Sequence, residues 1–254
     1  MTENSAARVK NLTVKYNNEL ILDNISFSVD RNEIFVILGG SGSGKTTLLR
    51  HMIGLESPLS GKVFIDDINI TECSENRFYE ALKKIGVLFQ SSALISSMTV
   101  GENVALPIAE FTDFSKKAIA RMVQLKLSLV DLERYEHYLP SEVSGGMKKR
   151  AGLARALALN PEILFLDEPS AGLDPVTAAE IDELILDINK QLGTTIIIVT
   201  HELASIFAVA QRVIMLDKST KKIIAEGTPD KLKNECDNPY ICKFFNRQTN
   251  IEKR

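Results

Sequence analysis

The feature that most restricts how this chain can fold is the stretch Leu38-Gly39-Gly40-Ser41-Gly42-Ser43-Gly44-Lys45-Thr46-Thr47. It fits the pattern of Gly, four residues, Gly, Lys and a hydroxyl residue. The apolar run Ile34-Phe35-Val36-Ile37-Leu38 before it reads as a buried strand, and residues 47–53 after it carry apolar side chains at helical spacing. The glycines therefore form a turn from strand to helix. Gly39, Gly42 and Gly44 have no Cβ, so the backbone can bring successive N–H groups up to phosphate oxygens. The helix start adds further donors and the positive end of its dipole. Lys45 supplies a mobile charge for the outer phosphates, and the Thr46 hydroxyl is placed to ligate Mg²⁺. Gly40, Ser41, Ser43 and Thr47 complete the expected cradle, and nucleotide binding is the expectation.

Ahead of this loop, Arg8 to Tyr16 and Ile21 to Val29 alternate apolar and polar residues around the turn Asn17-Asn18, which predicts an antiparallel hairpin with Tyr16 at its tip. An aromatic ring there can stack on a nucleotide base, although a tyrosine at a strand end is more often ordinary packing. A short strand over 62–65, a helix over 75–83 and a buried strand over 84–89 follow, the last ending at Gln90. A neutral amide at that place suits Mg²⁺ or a water, or is a plain polar loop residue.

From Ser91 to about Gly152 the pattern is helical: Val100 to Ile108, Ser115 to Leu129, and a helix after Ser144, with Pro107 and Pro140 as punctuation. This predicts a helical lobe inserted between sheet strands. Ser144-Gly145-Gly146 ahead of Met147-Lys148-Lys149-Arg150 is a capped helix start, either an anion site or simply a helix with a solvated basic face. Ile163-Leu164-Phe165-Leu166 reads as a central parallel strand ending in Asp167-Glu168. Carboxylates at that end of a strand lie where open α/β sheets bind ligands. Asp167 suits Mg²⁺ and Glu168 suits the polarisation of attacking water. Ser170 to Pro175 is a loop into the helix Val176 to Leu192, and the strand Thr194 to Thr200 ends at His201, either structural or chemical. A last strand pair, 212–217 and 222–226, precedes a short helix and a tail from Asn238 in which Ile241, Phe244 and Phe245 share one helical face.

At 254 residues the chain suits one large α/β domain with an inserted lobe. A net charge of −3, from 30 basic and 33 acidic residues, argues against nucleic-acid binding through a basic surface. Three cysteines, Cys73, Cys236 and Cys242, without metal-ligand spacing fit a reducing compartment. Residues 1–12 show no signal-peptide pattern, and no apolar run approaches the length of a membrane-spanning helix, so work at a membrane calls for a partner.

In order and spacing these pieces resemble the ATP-binding-cassette (ABC) ATPases over almost the whole chain. Tyr16 matches the base-stacking aromatic, Gly39 to Thr47 the Walker A loop, Gln90 the Q-loop, Val143-Ser144-Gly145-Gly146-Met147 the signature, Ile163 to Glu168 Walker B, Ser170 to Asp174 the D-loop, and His201 the switch histidine. The resemblance implies an α/β fold: a P-loop ABC ATPase core with an N-terminal antiparallel β subdomain and an inserted α-helical lobe. Within a single domain spanning 1–254, the core would be 1–90 and 153–237, the lobe 91–152, and the tail 238–254. It also implies ATP and Mg²⁺ as cofactors and a homodimer in which ATP lies between the Walker A loop of one copy and Ser144, Gly145, Gly146 and Asp174 of the other. Thr46, Gln90 and Asp167 would hold the metal, Glu168 would activate water, and His201 would contact the γ-phosphate.

Leu88 to Leu94, Met98-Thr99-Val100, Glu102 to Ala105 and Pro140 to Met147 are further similar to the ATPase subunit of Mla/Mce-type phospholipid transport systems of Gram-negative bacteria. Asn238-Pro239 with Phe244 is similar to that group's C-terminal region, although the glycine expected shortly after is absent. The signature departs from the common Leu-Ser-Gly-Gly-Gln at Val143 and Met147, and a thioether cannot reproduce an amide's hydrogen bonds. The expected partners are a membrane permease, with substrate-binding and accessory subunits, at the cytoplasmic face of the bacterial inner membrane. Competing readings are a transporter ATPase for amino acids or lipoproteins and a soluble iron-sulfur-assembly type. A DNA-repair type would need heptad runs and a GTPase an Asn-Lys-x-Asp stretch, and neither is found.

Overall fold

The computed structural model describes residues 5–235 and 238–246. The hairpin strands β1 (Ser5–Tyr16) and β2 (Glu19–Asp30) lead into β3 (Ile34–Gly39) and α1 (Lys45–Met52). Next come β4 (Ser60–Ile65), β5 (Ile68–Asn69), α2 (Glu75–Lys83) and β6 (Ile85–Leu88). Helices α3 (Val100–Phe111), α4 (Lys116–Ser128) and α5 (Gly145–Ala156) follow, and then β7 (Ile163–Asp167), α6 (Pro175–Leu192) and β8 (Thr195–Thr200). The chain closes with α7 (Leu203–Val209), β9 (Arg212–Leu216), β10 (Ile223–Gly227), α8 (Pro229–Asn234) and α9 (Pro239–Phe245).

Two sheets result, one antiparallel in the order β2-β1-β4-β5, the other in the order β10-β9-β3-β8-β7-β6. In the second sheet β6, β7, β8, β3 and β9 run parallel, and β10 is antiparallel to β9. The alternation of side chains along a strand explains why β3 is apolar throughout. Ile34, Val36 and Leu38 join a core with the helices, whereas Phe35 and Ile37 join a second core with the antiparallel sheet and α1. Arg212 ties the two sheets at one end: it donates to both carboxylate oxygens of Glu33 at 2.8 Å and to the Ser28 carbonyl at 2.8 Å, with its guanidinium over the Phe35 ring. The Glu33 carboxylate, joined by that of Glu226, holds its pKa above the ordinary arginine value.

The predicted elements form, with three departures. The helix expected to end at Ile108 runs on to Phe111, with Pro107 inside it. The Thr99/Glu102 capping box and the burial of Val100, Val104 and Ile108 outweigh the donor that a proline removes. The boundary expected at Gly152 falls within α5, which packs against β6. Helix α7, which the sequence did not signal, is only 7 residues long and is held by burial of Ile206 and Val209. In the tail, Ile241 and Phe245 are buried and Phe244 packs against the same core. Cys73 is a free thiol, whereas Cys242 is held in a disulfide, which the count of three cysteines did not foreshadow.

Candidate nucleotide site

Parallel strands β3, β6, β7 and β8 all end on one side of the sheet, so the segments that follow them meet there. The phosphate loop leaves β3 at Gly39, where an added Cβ would lie 2.5 Å from Ser43 Oγ and 2.6 Å from the Leu216 carbonyl. Gly44, at φ +94°, would put a Cβ 2.7 Å from Leu22. Only glycine fits both places, and the close approach leaves a concave run of backbone. Ser43 Oγ is buried inside this loop without a hydrogen-bond partner. Lys45 is buried as well, and its Nζ donates to the carbonyls of Gly39 (2.8 Å) and Gly40 (3.2 Å). Burial lowers its pKa, against the opposing pull of Glu168 and Asp167.

Across from Lys45, Asp167 ends β7 and its Oδ1 accepts the Thr46 hydroxyl at 3.3 Å. Burial raises its pKa, an effect that the Thr46 hydrogen bond opposes. Glu168 follows at φ +49°, a left-handed conformation uncommon for a side chain of this kind. Its N–H continues the sheet pairing to the Val199 carbonyl at 2.8 Å, while its carboxylate meets His201 Nδ1 at 2.7 Å and accepts the Thr200 hydroxyl at 3.2 Å. A cavity of about 390 Å³ is lined by Ser41 to Thr47, Gln90, Glu168 and His201. The loop, the strand-end carboxylate, the amide and the histidine thus converge from distant parts of the sequence.

Tyr16 stands beside this loop. Its hydroxyl bonds to Glu56 and reaches the Thr47 side chain, and the residue is 40% exposed at the hairpin tip. Ser144, Gly145, Gly146 and Asp174 lie elsewhere. Ser144 Oγ caps α5 by accepting from Met147 N at 3.2 Å, and Asp174 caps α6 by accepting from Val176 N and Thr177 N at 3.1 Å. A Cβ on Gly146 would lie 2.6 Å from Thr177, so the signature packs against the start of α6 and forms a second cluster away from the cavity. Sequence reading missed Thr200 and Lys149. The sequence leaves the stretch after Gly146 open between an anion site and a helix with a solvated basic face, yet Lys149 is 6% exposed. Nothing local distinguishes it from Lys148.

A phosphate-binding loop after a central strand, with carboxylates ending a neighbouring strand, defines a P-loop nucleotide-hydrolysing domain. Residues 22–171 match the ABC transporter family, and the chain belongs to it. It is 41% identical over 241 residues to the probable ribonucleotide transport ATP-binding protein mkl of Mycobacterium leprae, covering 95% of this chain and 69% of that one. It is 40% identical over 228 residues to the intermembrane phospholipid transport system ATP-binding protein MlaF of Escherichia coli K12, covering 90% of this chain and 84% of MlaF. The dimeric post-hydrolysis structure of the ATP-binding cassette MJ0796 bound to ADP and Pi superposes with a TM-score of 0.79 at 32% identity, covering 87% of this chain and 98% of that one. The cbiO1 structure from Clostridium perfringens gives 0.82 at 30%, covering 90% of each chain. The chain is therefore an ATP-binding cassette with ATPase activity.

Tyr16→Ala is expected to weaken ATP binding by about 1 to 3 kcal/mol, the range seen for bases stacked on aromatic platforms. Because a ring face reads bases poorly, GTP should compete. Tyr16→Phe loses only the hydroxyl's contacts with Glu56 and Thr47 and should bind nearly as the wild type does in a fluorescence titration. A phenylalanine variant as weak as the alanine one would show that the ring does not stack.

Proposed function

We propose that this chain is the ATP-hydrolysing subunit of a transporter that moves phospholipid across or between membranes of the cell envelope. The similarity to MlaF over 84% of MlaF's length carries this reading. Two copies would face each other. Support comes from the split of the motifs into two clusters, since Ser144, Gly145, Gly146 and Asp174 lie outside the cavity that holds the phosphate loop. The helix start at Ser144 would then offer N–H groups to the γ-phosphate bound by the other copy. In each copy Lys45 binds phosphate, Glu168 takes the proton of the attacking water, and His201, bonded to Glu168, orients that carboxylate.

The residues present fit Mg²⁺. Thr46 and Asp167 pair a hydroxyl with a carboxylate, Gln90 adds an amide, and hard cations take such oxygen donors. Mg²⁺ usually keeps several waters and binds few protein ligands beside substrate phosphates, and this small donor set suits that habit. When bound, the ion neutralises charge that develops on the phosphates.

The core of 1–90 and 153–237, the lobe of 91–152 and the tail of 238–254 are working parts in this reading. Among the described residues no helix is long and apolar enough to cross a membrane. The similarity to MlaF supports action with a permease at the cytoplasmic face of the bacterial inner membrane, with substrate-binding and accessory subunits. The surface after Gln90 suits that permease. Val100 and Val104 belong to the core and Leu94 packs against it, but Ile95 is 38% exposed and Met98 is half-buried. Buried Asn103 rivets this segment, accepting from Ile95 N (2.7 Å) and donating to the carbonyls of Ile95, Met98 and Thr99.

Ile95→Glu and Met98→Glu should leave the subunit folded, remove co-purification of a membrane permease from native membranes, and abolish permease stimulation of ATPase. Mass spectrometry of the wild-type complex should find phospholipid. Nucleotide cargo would instead favour the activity that mkl's name describes, and persistence of both properties in the two variants would place docking elsewhere.

A further inference from the structure

Helix α5 turns one side toward the segment that follows β6, and that side is Lys149, Gly152 and Arg155. Lys149 Nζ donates to the carbonyl of Gln90 at 2.7 Å and to the carbonyl of Glu168 at 2.9 Å. Gly152 permits the approach, since a Cβ there would lie 2.7 Å from Leu88 Cδ1 and 3.2 Å from Ser92 Cβ. Arg155 donates to the carbonyls of Ser92 (2.8 Å) and Ala93 (2.7 Å), residues at φ 62° and 45°. The turn after Gln90 is thus held to α5 through its main chain.

A buried ammonium is costly unless its donors are used. Lys149 spends two on main-chain oxygens, in the field of Asp167, Glu168 and Glu202, and burial still lowers its pKa. Such bonds do not depend on the side chains at positions 90 and 168, but they determine where those side chains begin. The Glu168 carbonyl accepts from Lys149 and from Ala171 N (3.2 Å), and these bonds brace a backbone that sits in the left-handed region. No other side chain among the described residues is shown joining these two carbonyls to the helix that starts at Ser144.

We propose that Lys149 is a positioning residue for ATP hydrolysis: it holds the main chain at Gln90 and Glu168 in fixed relation to α5, so that both side chains follow that helix. The proposal rests on the reading of Glu168 as the base. Because Lys149 touches neither the phosphate loop nor Tyr16, its loss should change turnover and spare nucleotide affinity.

The test uses Lys149→Met, Lys149→Gln and Lys149→Arg in the full chain, with Glu168→Gln alongside. Steady-state ATPase and titration with a fluorescent ATP analogue are both measured. In Lys149→Met, kcat should fall about 10- to 100-fold, as small displacements of reacting groups do elsewhere. Lys149→Gln, whose amide is too short to span both carbonyls, should fall between, and Lys149→Arg, which keeps the charge and donors, should recover most of the rate. KM and analogue affinity should stay within about twofold of wild type, since the lost interaction acts on turnover. Parallel loss of affinity and rate, wild-type kcat in a folded Met or Gln variant, or failure of both neutral variants to fold overturns the proposal. A Glu168→Gln protein that still hydrolyses ATP would fault the reading of the base. An inactive Glu168→Gln beside a fully active Lys149→Met faults only the role of Lys149.

Discussion

Glu168→Gln is expected to bind ATP as the wild type does and to hydrolyse it about 100 to 1,000 times more slowly, within the range for loss of a general base. The amide is isosteric and its surroundings accept it. Its oxygen can still accept a hydrogen bond from His201 Nδ1, and its NH₂ can donate to the Thr200 hydroxyl, which already accepts from Glu202 N. The fold around β7 and β8 therefore has no reason to change, so a drop in turnover reports the lost base and not lost structure. Nucleotide that is bound but not cleaved should accumulate a two-copy form, visible by light scattering after ATP is added. Hydrolysis near the wild-type rate would show that another group activates the water.

Lys45→Ala should have the largest effect on binding. In the phosphate loop the ammonium is held by the Gly39 and Gly40 carbonyls, a place from which it can reach phosphate, and it faces the Asp167 and Glu168 carboxylates. Removing it takes away a cation that offsets two buried carboxylates and the triphosphate together. Charge-assisted bonds of this kind contribute about 1.5 to 3 kcal/mol each, so ATP affinity should fall about 10- to 150-fold for each such bond lost. Circular dichroism should be unchanged, because the glycines and not the lysine shape the loop. Unaltered affinity in the folded variant would remove Lys45 from the phosphate site.

Much of this site was legible along the chain because its parts are local. A buried strand, glycines and a helix start are consecutive at 34–53, and four apolar residues lead directly into Asp167 and Glu168. Period and turn chemistry then place each piece at a strand end, and a sheet with parallel strands gathers those ends on one side. Ile241, Phe244 and Phe245 were readable as one face for the same reason. The end of α3 was less legible: Pro107 suggests a stop near Ile108, but the helix reaches Phe111 because burial of Val100, Val104 and Ile108, which depends on neighbours far along the chain, outweighs the local penalty.

By itself, then, the sequence determined where the phosphate-loop motif, the paired carboxylates and the strand-end histidine lie and on which kinds of element they stand. Tertiary structure alone decided which lysine of the Lys148-Lys149 pair is buried, that Glu168 shares a hydrogen bond with His201, and that Ser144 to Gly146 sit against α6 and outside the cavity. The reason is physical: helical and strand periods encode only that a face is covered, whereas the atoms covering it, such as the Gln90 carbonyl 59 residues away from Lys149, are chosen by how the layers pack.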